Sequence, residues 1–238
     1  MSYARIGPVG RVAPTVVGGN GGYQALVNLV FNLAAQGIVV DGTGLIPLCD
    51  NFGGSAIDTT RWATGFFGTV DSAVTVIETG GQLQITCRSA FASAAYNGLM
   101  SANAYDLTGR GAAVQVVQQA APGNANADTQ LHVGTDNTHR FTIVAEGTTI
   151  TFLWYDGSVH SLASITYSAT THAWWRIRES GGTTFWDTSA DGITWTNRAS
   201  VANPFAVTAM KANLAAGTFA SITTPAPAIF DNFNVLPI

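Results

Sequence analysis

From residue 48 onward, the chain consists of short segments in which apolar and polar residues alternate, separated by turn residues such as Asn97-Gly98 and Asp156-Gly157. Alternation with a period of two is typical of a strand that buries one face. The predicted strands are 74–78, 82–88, 112–119, 129–135, 139–145, 149–155, three strands within 172–198, 208–215 and 229–236. Because no segment after residue 47 has a sustained helical period, the pattern predicts an all-β sandwich.

The densest part of the pattern is the run from His172 to Arg198, which holds four of the six tryptophans. Gly181-Gly182 and Asp191-Gly192 can adopt the positive φ angles of tight hairpin turns, so the run is predicted to form three consecutive antiparallel strands. Trp174 and Trp175 fall on opposite faces of the first of these strands. The alternation leaves open which of the two tryptophans points inward.

Three parts of the chain together resemble one family of β-sandwiches. They are WWRIRESGGT at 174–183 followed by FWDTSADGITW at 185–195, DNFGGSAIDTTRW at 50–62, and FDNFNV at 230–235. These parts resemble the laminin-G-like jelly rolls of the concanavalin A-like lectin and glucanase superfamily, particularly the versions in tail and other virion proteins of phages that infect actinobacteria. The resemblance covers about 48–238 and implies a two-sheet antiparallel jelly roll. It implies little about activity, because this fold carries lectins, glycosidases and purely structural proteins.

The first 47 residues lie outside this resemblance and are predicted to form an N-terminal arm. Residues 1–22 contain two prolines and end in a glycine-rich run, which favours an extended conformation. In 23–40, amide side chains recur every four residues, which favours a short helix with one polar stripe over a strand. We therefore expect a docking or oligomerisation arm at 1–47 and a jelly-roll domain at 48–238. The alternative is that the arm plugs one end of the sandwich.

The composition indicates a neutral surface. Charged residues make up 10% of the chain, against roughly 25% in an ordinary soluble domain, and Lys211 is the single lysine. Such a surface is expected to meet other proteins in an assembly, or else to belong to a secreted protein. The net charge of −4 and the lack of a cation cluster argue against nucleic-acid binding. The apolar runs are too short and interrupted to predict membrane insertion, and no signal peptide is expected.

The family resemblance raises the question of glycoside hydrolysis, which needs two carboxylates beside the glycosidic bond. Glycosidases of the superfamily typically carry E-x-D-x-x-E or E-x-D-x-E on one strand. None of the three glutamates, Glu78, Glu146 and Glu179, has an aspartate two residues later. We therefore predict that the chain is not an enzyme and has no catalytic residues. Other carboxylate pairs, such as Asp156 with Asp187, stay open.

The residues that could bind a metal form no recognisable motif. The four histidines are scattered, so zinc is not predicted. Asp50 and Asp231 stand where related jelly rolls sometimes hold a structural calcium, but an Asp-Asn pair near a strand end also caps a turn by itself. No cofactor is predicted, and the calcium stays unassigned. Cys49 and Cys87 are expected to remain thiols, with Cys87 in the core.

Ligand binding by aromatic side chains is the remaining chemistry. Sugar rings stack on aromatic rings, and the candidates for such stacking are Trp154, Tyr155 and Trp186. Trp154 and Tyr155 are adjacent, so both cannot face the core of a regular strand. At least one of them is expected at the surface, where it contacts a glycan, a neighbouring subunit or solvent.

These observations lead us to predict a non-enzymatic phage virion structural protein, either a minor tail protein or a head-decoration protein. Its lectin-like jelly roll is expected to contact host surface glycans, and its arm to bind other virion proteins. A homo-oligomer is expected, with a trimer favoured, and the predicted location is the virion. The alternatives are an extracellular carbohydrate-binding module or adhesin, and a degenerate glycoside hydrolase.

Overall fold

A computed structural model describes residues 48–235, which form fourteen strands. The strands are β1 Trp62–Thr64, β2 Thr75–Thr79, β3 Gln82–Thr86, β4 Ala95–Ser101, β5 Gly111–Gln118, β6 Ala127–Gly134, β7 His139–Glu146, β8 Thr149–Asp156, β9 Val159–Thr166, β10 Trp174–Ser180, β11 Thr183–Ser189, β12 Trp195–Ala202, β13 Lys211–Thr218 and β14 Ala228–Asp231. The predicted arm at 1–47 and its short helix lie outside the described residues.

The strands pair into two antiparallel sheets of seven strands each. The first sheet has the order β1-β4-β13-β6-β7-β8-β9, and the second has the order β12-β11-β10-β5-β14-β3-β2. The predicted all-β jelly-roll sandwich is confirmed. Residues 48–235 contain no helix, and so none that is long and apolar enough to cross a membrane.

The core lies between the sheets and consists of the inward side chains of alternating positions. Trp175 is the inward member of the tryptophan pair and is completely buried, while Trp174 lies on the outer face of the second sheet. Trp186 of β11 is also completely buried, and its indole N–H crosses the core to donate to the carbonyl oxygen of Thr142 on β7 at 3.0 Å. This hydrogen bond joins the two sheets directly. The ring of Phe141 packs edge-on against Trp186 at 5.5 Å.

The predicted turn at Asn97-Gly98 is wrong, because both residues lie in the middle of β4. Asn97 is buried there and donates to the carbonyl oxygen of Val74 at 3.0 Å. A side chain at Gly98 would overlap the carbonyl oxygen of Leu214 on β13. The Asn-Gly dipeptide therefore serves close packing between strands, and the φ of Gly98 is not in the left-handed region.

The opening and closing segments of the domain meet around Asp50. Its carboxylate accepts from the backbone N–H of Phe52 at 2.8 Å and from the indole N–H of Trp62 at 2.9 Å. The backbone of Asp50 forms a bridge with Phe233, whose ring packs edge-on against Trp62 at 5.1 Å. Asn234 then donates to the carbonyl oxygen of Leu48 at 2.9 Å. The motifs at 50–62 and 230–235 are therefore two halves of one closing cluster.

We expect Asp50→Ala to lower the free energy of unfolding by about 2–4 kcal/mol, because it removes a charged acceptor and leaves the buried indole N–H of Trp62 without one. Urea denaturation measures this change. The matched variant is Asp58→Ala, which removes an exposed carboxylate from the loop before β1 and should cost about 1 kcal/mol or less. Equal losses in the two variants would contradict a closing role for Asp50.

Candidate functional site

The candidate site lies on the outer face of the first sheet, at its central strand β6. Strand side chains alternate between faces, and Leu131 and Val133 of β6 point into the core. Asp128, Gln130 and His132 therefore point outward, yet each is at least nine-tenths buried. Polar side chains that are buried on the outer face of a sheet need hydrogen-bond partners. This row of polar side chains therefore defines the candidate site.

A chain of hydrogen bonds joins the polar row. The hydroxyl of Tyr96 donates to Asp128 Oδ2 at 2.7 Å, and the amide of Gln130 donates to the same oxygen at 3.1 Å. Gln130 Oε1 lies 2.6 Å from His132 Nε2, and His132 Nδ1 lies 2.8 Å from Thr142 Oγ1. The carbonyl oxygen of Gln130 can only accept, so Nε2 of His132 carries the proton and Nδ1 accepts from Thr142. Burial, and secondarily the charge of Arg140, lowers the pKa of His132, so this histidine is neutral.

Glycine makes room for the first bond of this chain. Tyr96 is on β4, and its ring must cross β13 to reach Asp128 on β6. Gly217 of β13 pairs with both Tyr96 and Asp128, and a side chain at Gly217 would overlap the tyrosine ring. The site is therefore built from four adjacent strands, β4, β13, β6 and β7.

A loop with two phenylalanines lies over this face. Residues 65–70 follow β1, and Asn213 of β13 donates to the carbonyl oxygen of Gly65 at 3.0 Å. The ring of Phe66 stacks on Tyr96 with a centroid distance of 5.4 Å and lies 5.8 Å from His132. Phe67 packs edge-on against the same imidazole at 6.0 Å. Aromatic rings and hydrogen-bonding groups thus lie side by side, as sugar recognition requires.

Asp128 carries the unusual electrostatics of the site. Its Oδ1 is buried and has no hydrogen-bond partner among residues 48–235. Burial raises the pKa of Asp128 to about 6, the hydrogen bond from Tyr96 opposes this rise, and the charge of Glu146 adds to it. Glu146 is exposed on β7 and pairs directly with Asp128 across the two strands. Directly paired residues have Cβ atoms about 4.5–5.5 Å apart, so two carboxyl groups of different environment face the same space.

This pair was not predicted from the sequence. The predicted strand at 129–135 left Asp128 outside, and Glu146 was considered only together with the residues that follow it. Asp128, Gln130 and His132 share the parity of an outward face, and that period-two pattern was the available signal. The partner Glu146 lies on another strand, so no spacing along the chain reveals it.

The three predicted stacking residues occupy different places. Tyr155 points to the same outer face as the site, where the guanidinium of Arg140 covers one face of its ring at 3.6 Å. Trp154 points inward at the edge of the core and stacks on His160 at 3.9 Å. Trp186 is completely buried, so the structure contradicts a stacking role for it. Of the three, Tyr155 is the one that shares a face with Asp128.

The acidic residues considered for catalysis or calcium are otherwise engaged. Asp187 is buried on the second sheet, where it accepts from Arg176 at 2.8 and 2.9 Å and from Arg178 at 2.8 Å. Asp156 lies on the first sheet and accepts from His160 at 2.9 Å, so the pair left open by the sequence does not form. Both carboxylate oxygens of Asp50 bind protein donors. Within 48–235, no three His, Cys, Asp or Glu residues cluster as metal ligands.

The comparisons with known proteins identify the fold. No family model and no curated protein matches the sequence. Among solved structures, a Bacillus licheniformis β-glucanase is 14% identical with a TM-score of 0.55, over 78% of this chain and 96% of that one. A β-1,3-1,4-glucanase (lichenase) from a mouse hindgut metagenome is also 14% identical at 0.55, over 80% and 98%. A β-1,3-glucanase from Mycobacterium marinum is 12% identical at 0.55, over 79% and 97%.

The chain therefore has a concanavalin A-like jelly-roll fold, and the resemblance found in the sequence is confirmed to that extent. The comparisons contradict the prediction that the chain is not an enzyme, because the three solved structures named above, which share its fold, are β-glucanases. That prediction rested on the missing E-x-D-x-E motif. It overlooked carboxylates that pair between strands.

The raised pKa of Asp128 makes a prediction about stability. An aspartate in the unfolded chain has a pKa near 3.9, whereas the pKa of Asp128 in the folded state is about 6. Protonation of Asp128 therefore stabilises the folded state. This stabilisation is complete below about pH 4 and is lost as the pH rises through about 6. Relative to Asp128→Asn, the free energy of unfolding of the wild type should fall by about 2–3 kcal/mol between pH 4 and pH 7. Denaturation curves at both pH values measure this difference.

Asp58→Asn is the control for sign, because a hydrogen bond from the Thr60 side chain lowers the pKa of Asp58. Its pH dependence should run the other way, with the stabilisation lost as the pH falls. If the free energies of unfolding of the wild type and of Asp128→Asn change identically with pH, the pKa of Asp128 is not raised in the folded state.

Proposed function

We propose that the outer face of the first sheet binds a polysaccharide and that Asp128 and Glu146 together hydrolyse one of its glycosidic bonds. The observation that carries this proposal is the pair itself, a buried carboxyl with a raised pKa directly opposite an exposed one. Two carboxyl groups whose environments separate their protonation are the usual arrangement for acid–base chemistry on sugars. The glucanases with the same fold support the choice of substrate class.

The local hydrogen bonds assign a role to each carboxyl. Oδ2 of Asp128 accepts hydrogen bonds from Tyr96 and Gln130, whereas Oδ1 is buried and has no partner in the described chain, so we assign the proton of the neutral carboxyl group to Oδ1. With a pKa of about 6, Asp128 is partly protonated near neutral pH and can act as the general acid. Glu146 then serves as nucleophile or base.

The spacing of the pair bears on the stereochemistry. Retaining glycosidases hold their two carboxyl groups about 5–5.5 Å apart, and inverting enzymes hold them about 6.5–9.5 Å apart. Residues that are paired on neighbouring strands suit the shorter distance. We therefore expect Glu146 to attack the anomeric carbon and the configuration of the product to be retained.

We expect Asp128→Asn and Glu146→Gln each to reduce reducing-sugar release from barley β-glucan or laminarin by about 10²–10⁴-fold, as is usual when a general acid or base is lost. In the wild type, the rate should fall as the pH rises through about 6, because Asp128 then loses its proton. Asp58→Asn, an acid-to-amide change in an exposed loop, should retain the wild-type rate.

Two results would contradict the assignment. One is a wild type that releases no reducing sugar from either glucan. The other is hydrolysis at the wild-type rate by folded Asp128→Asn protein, with folding checked by the cooperative urea transition.

We further propose that this sandwich is carried on a phage particle, as a tail or head-decoration component, with residues 1–47 as the docking arm. The resemblance of the three sequence parts to virion proteins supports this context, and so does the low charge of 10%. The described strands of both seven-stranded sheets lie within residues 62–231. An oligomer, with a trimer favoured, would suit such a particle.

Deleting residues 1–47 should leave hydrolysis intact and abolish co-sedimentation with phage particles. Sizing chromatography should also show a smaller assembly, since the arm is the proposed oligomerisation element. The control is the full-length chain with Asp128→Asn, which should sediment with particles as the wild type does. A truncated chain that sediments normally and keeps its assembly size would contradict the docking role.

A further inference from the structure

A row of five paired residues crosses the outer face of the first sheet at the end away from Asp128. Lys211 of β13 pairs with Gly134 of β6, which pairs with Arg140 of β7, followed by Tyr155 of β8. Val159 of β9 ends the row. Directly paired residues project from the same face, so the single lysine of the chain and a buried arginine share this row.

The guanidinium of Arg140 is held in place, but not all of its N–H donors are used. Its guanidinium lies over the ring of Tyr155 at 3.6 Å, and one terminal nitrogen donates to Asn137 Oδ1 at 2.7 Å. The Nε–H of Arg140 is buried and has no hydrogen-bond partner in residues 48–235. Arg140 is only 8% exposed and has no salt bridge to an acidic residue in that part of the chain. Burial lowers its pKa, and Tyr155 and the more distant charge of Asp136 oppose this lowering.

Gly134 lies between Lys211 and Arg140 in the row, and a side chain there would overlap Arg140. Two strand spacings of about 4.8 Å place the Cα atoms of Lys211 and Arg140 about 10 Å apart, within reach of one oxyanion for two long side chains. Lys211 is half-buried and forms no salt bridge within 48–235.

We propose that Lys211 and Arg140 form a subsite for the anionic substituent of a polysaccharide, a carboxylate or a sulfate ester. Arg140 supplies a positive charge that Tyr155 and Asn137 hold in place, and Lys211 supplies an ammonium on a flexible stem from the opposite side. This inference rests on the proposed function, since it assigns the substrate of the same face to the acidic polysaccharides.

The placement of charge along β6 refines the substrate further. Gly134 and Asp128 are six residues apart on that strand, which corresponds to about 20 Å at about 3.3 Å per residue. Cations thus lie at one end of the face, and the carboxyl pair of Asp128 and Glu146 lies at the other. An anionic substituent is attracted to the first end and repelled from the second. The bond that is cleaved therefore lies several sugar units from the substituent that is bound.

The test compares matched polymers by isothermal titration calorimetry on the full-length protein that carries Asp128→Asn, so that nothing is cleaved. Dextran sulfate and neutral dextran differ only in charge, and polygalacturonate provides the carboxylate arm. We expect binding of at least one anionic polymer and none of neutral dextran. Raising NaCl from about 50 mM to about 500 mM should weaken the binding, because it shortens the Debye length.

On this background, Lys211→Gln should weaken binding of the anionic polymer about fivefold to tenfold, as expected for one charge-assisted contact. Lys211→Arg keeps the charge and should restore most of the affinity. Arg88→Gln removes one positive charge from a surface ion pair with Asp71 and should leave the affinity unchanged. An equal loss of affinity in Lys211→Gln and Arg88→Gln would show that binding depends only on the net charge of the protein. That result would overturn the subsite.

The outcomes separate this inference from the proposed hydrolysis. Binding of an anionic polymer that depends on Lys211, together with no release of reducing sugar from barley β-glucan or laminarin by the wild type, supports the subsite and refutes the hydrolysis. Hydrolysis of a neutral glucan that depends on Asp128, together with no binding of either anionic polymer, supports the hydrolysis and refutes the subsite. Equal affinity for dextran and dextran sulfate overturns the subsite in every case.

Discussion

The hydrogen bond from the Trp186 indole to the carbonyl oxygen of Thr142 is the contact on which the rest of the structure depends. It is made in the water-free space between the sheets, where an unpaired indole N–H or carbonyl would cost about 1–3 kcal/mol. It also fixes Thr142, whose hydroxyl bonds His132 on the opposite face of the same sheet. The packing of the core and the orientation of the outer polar row are therefore set by one residue of β7.

That coupling explains how the outer row can stay ordered. Tyr96, Asp128, Gln130 and His132 form a continuous chain that ends at Thr142, so each group restricts the rotamer of the next. Asp128 Oδ1, which has no hydrogen-bond partner in the part of the chain that the structure describes, is an exception within this otherwise satisfied network. A fold selected for stability alone would gain by filling that position with an apolar side chain or a donor. The free-energy cost of leaving Asp128 Oδ1 without a partner is accounted for if this oxygen holds the proton that is used in the proposed hydrolysis.

The sequence predicts the layers of this molecule better than its chemistry. Alternation along 139–145 and 149–155 locates β7 and β8 to within a residue, because each strand has one face in the core. It fails for β9, whose small polar and apolar residues lie at a sheet edge with little burial contrast. It also fails for β4, where Asn97-Gly98 has the composition of a turn but the glycine is required by the close carbonyl of Leu214. The pairing of Asp128 with Glu146 depends on register between strands, which local pattern does not encode.

The cluster around Asp50 has a consequence for how such a sandwich can be used in larger proteins. Leu48 and Asn234 share a hydrogen bond, so the two ends of the described segment lie side by side. A domain whose two ends are adjacent can be placed within a surface loop of a host protein without stretching either chain. The same adjacency would let new ends be opened at an exposed hairpin, such as Gly181-Gly182, while a short linker joins the old ones. The sandwich is thus suited to insertion, as an intact domain, into unrelated host proteins.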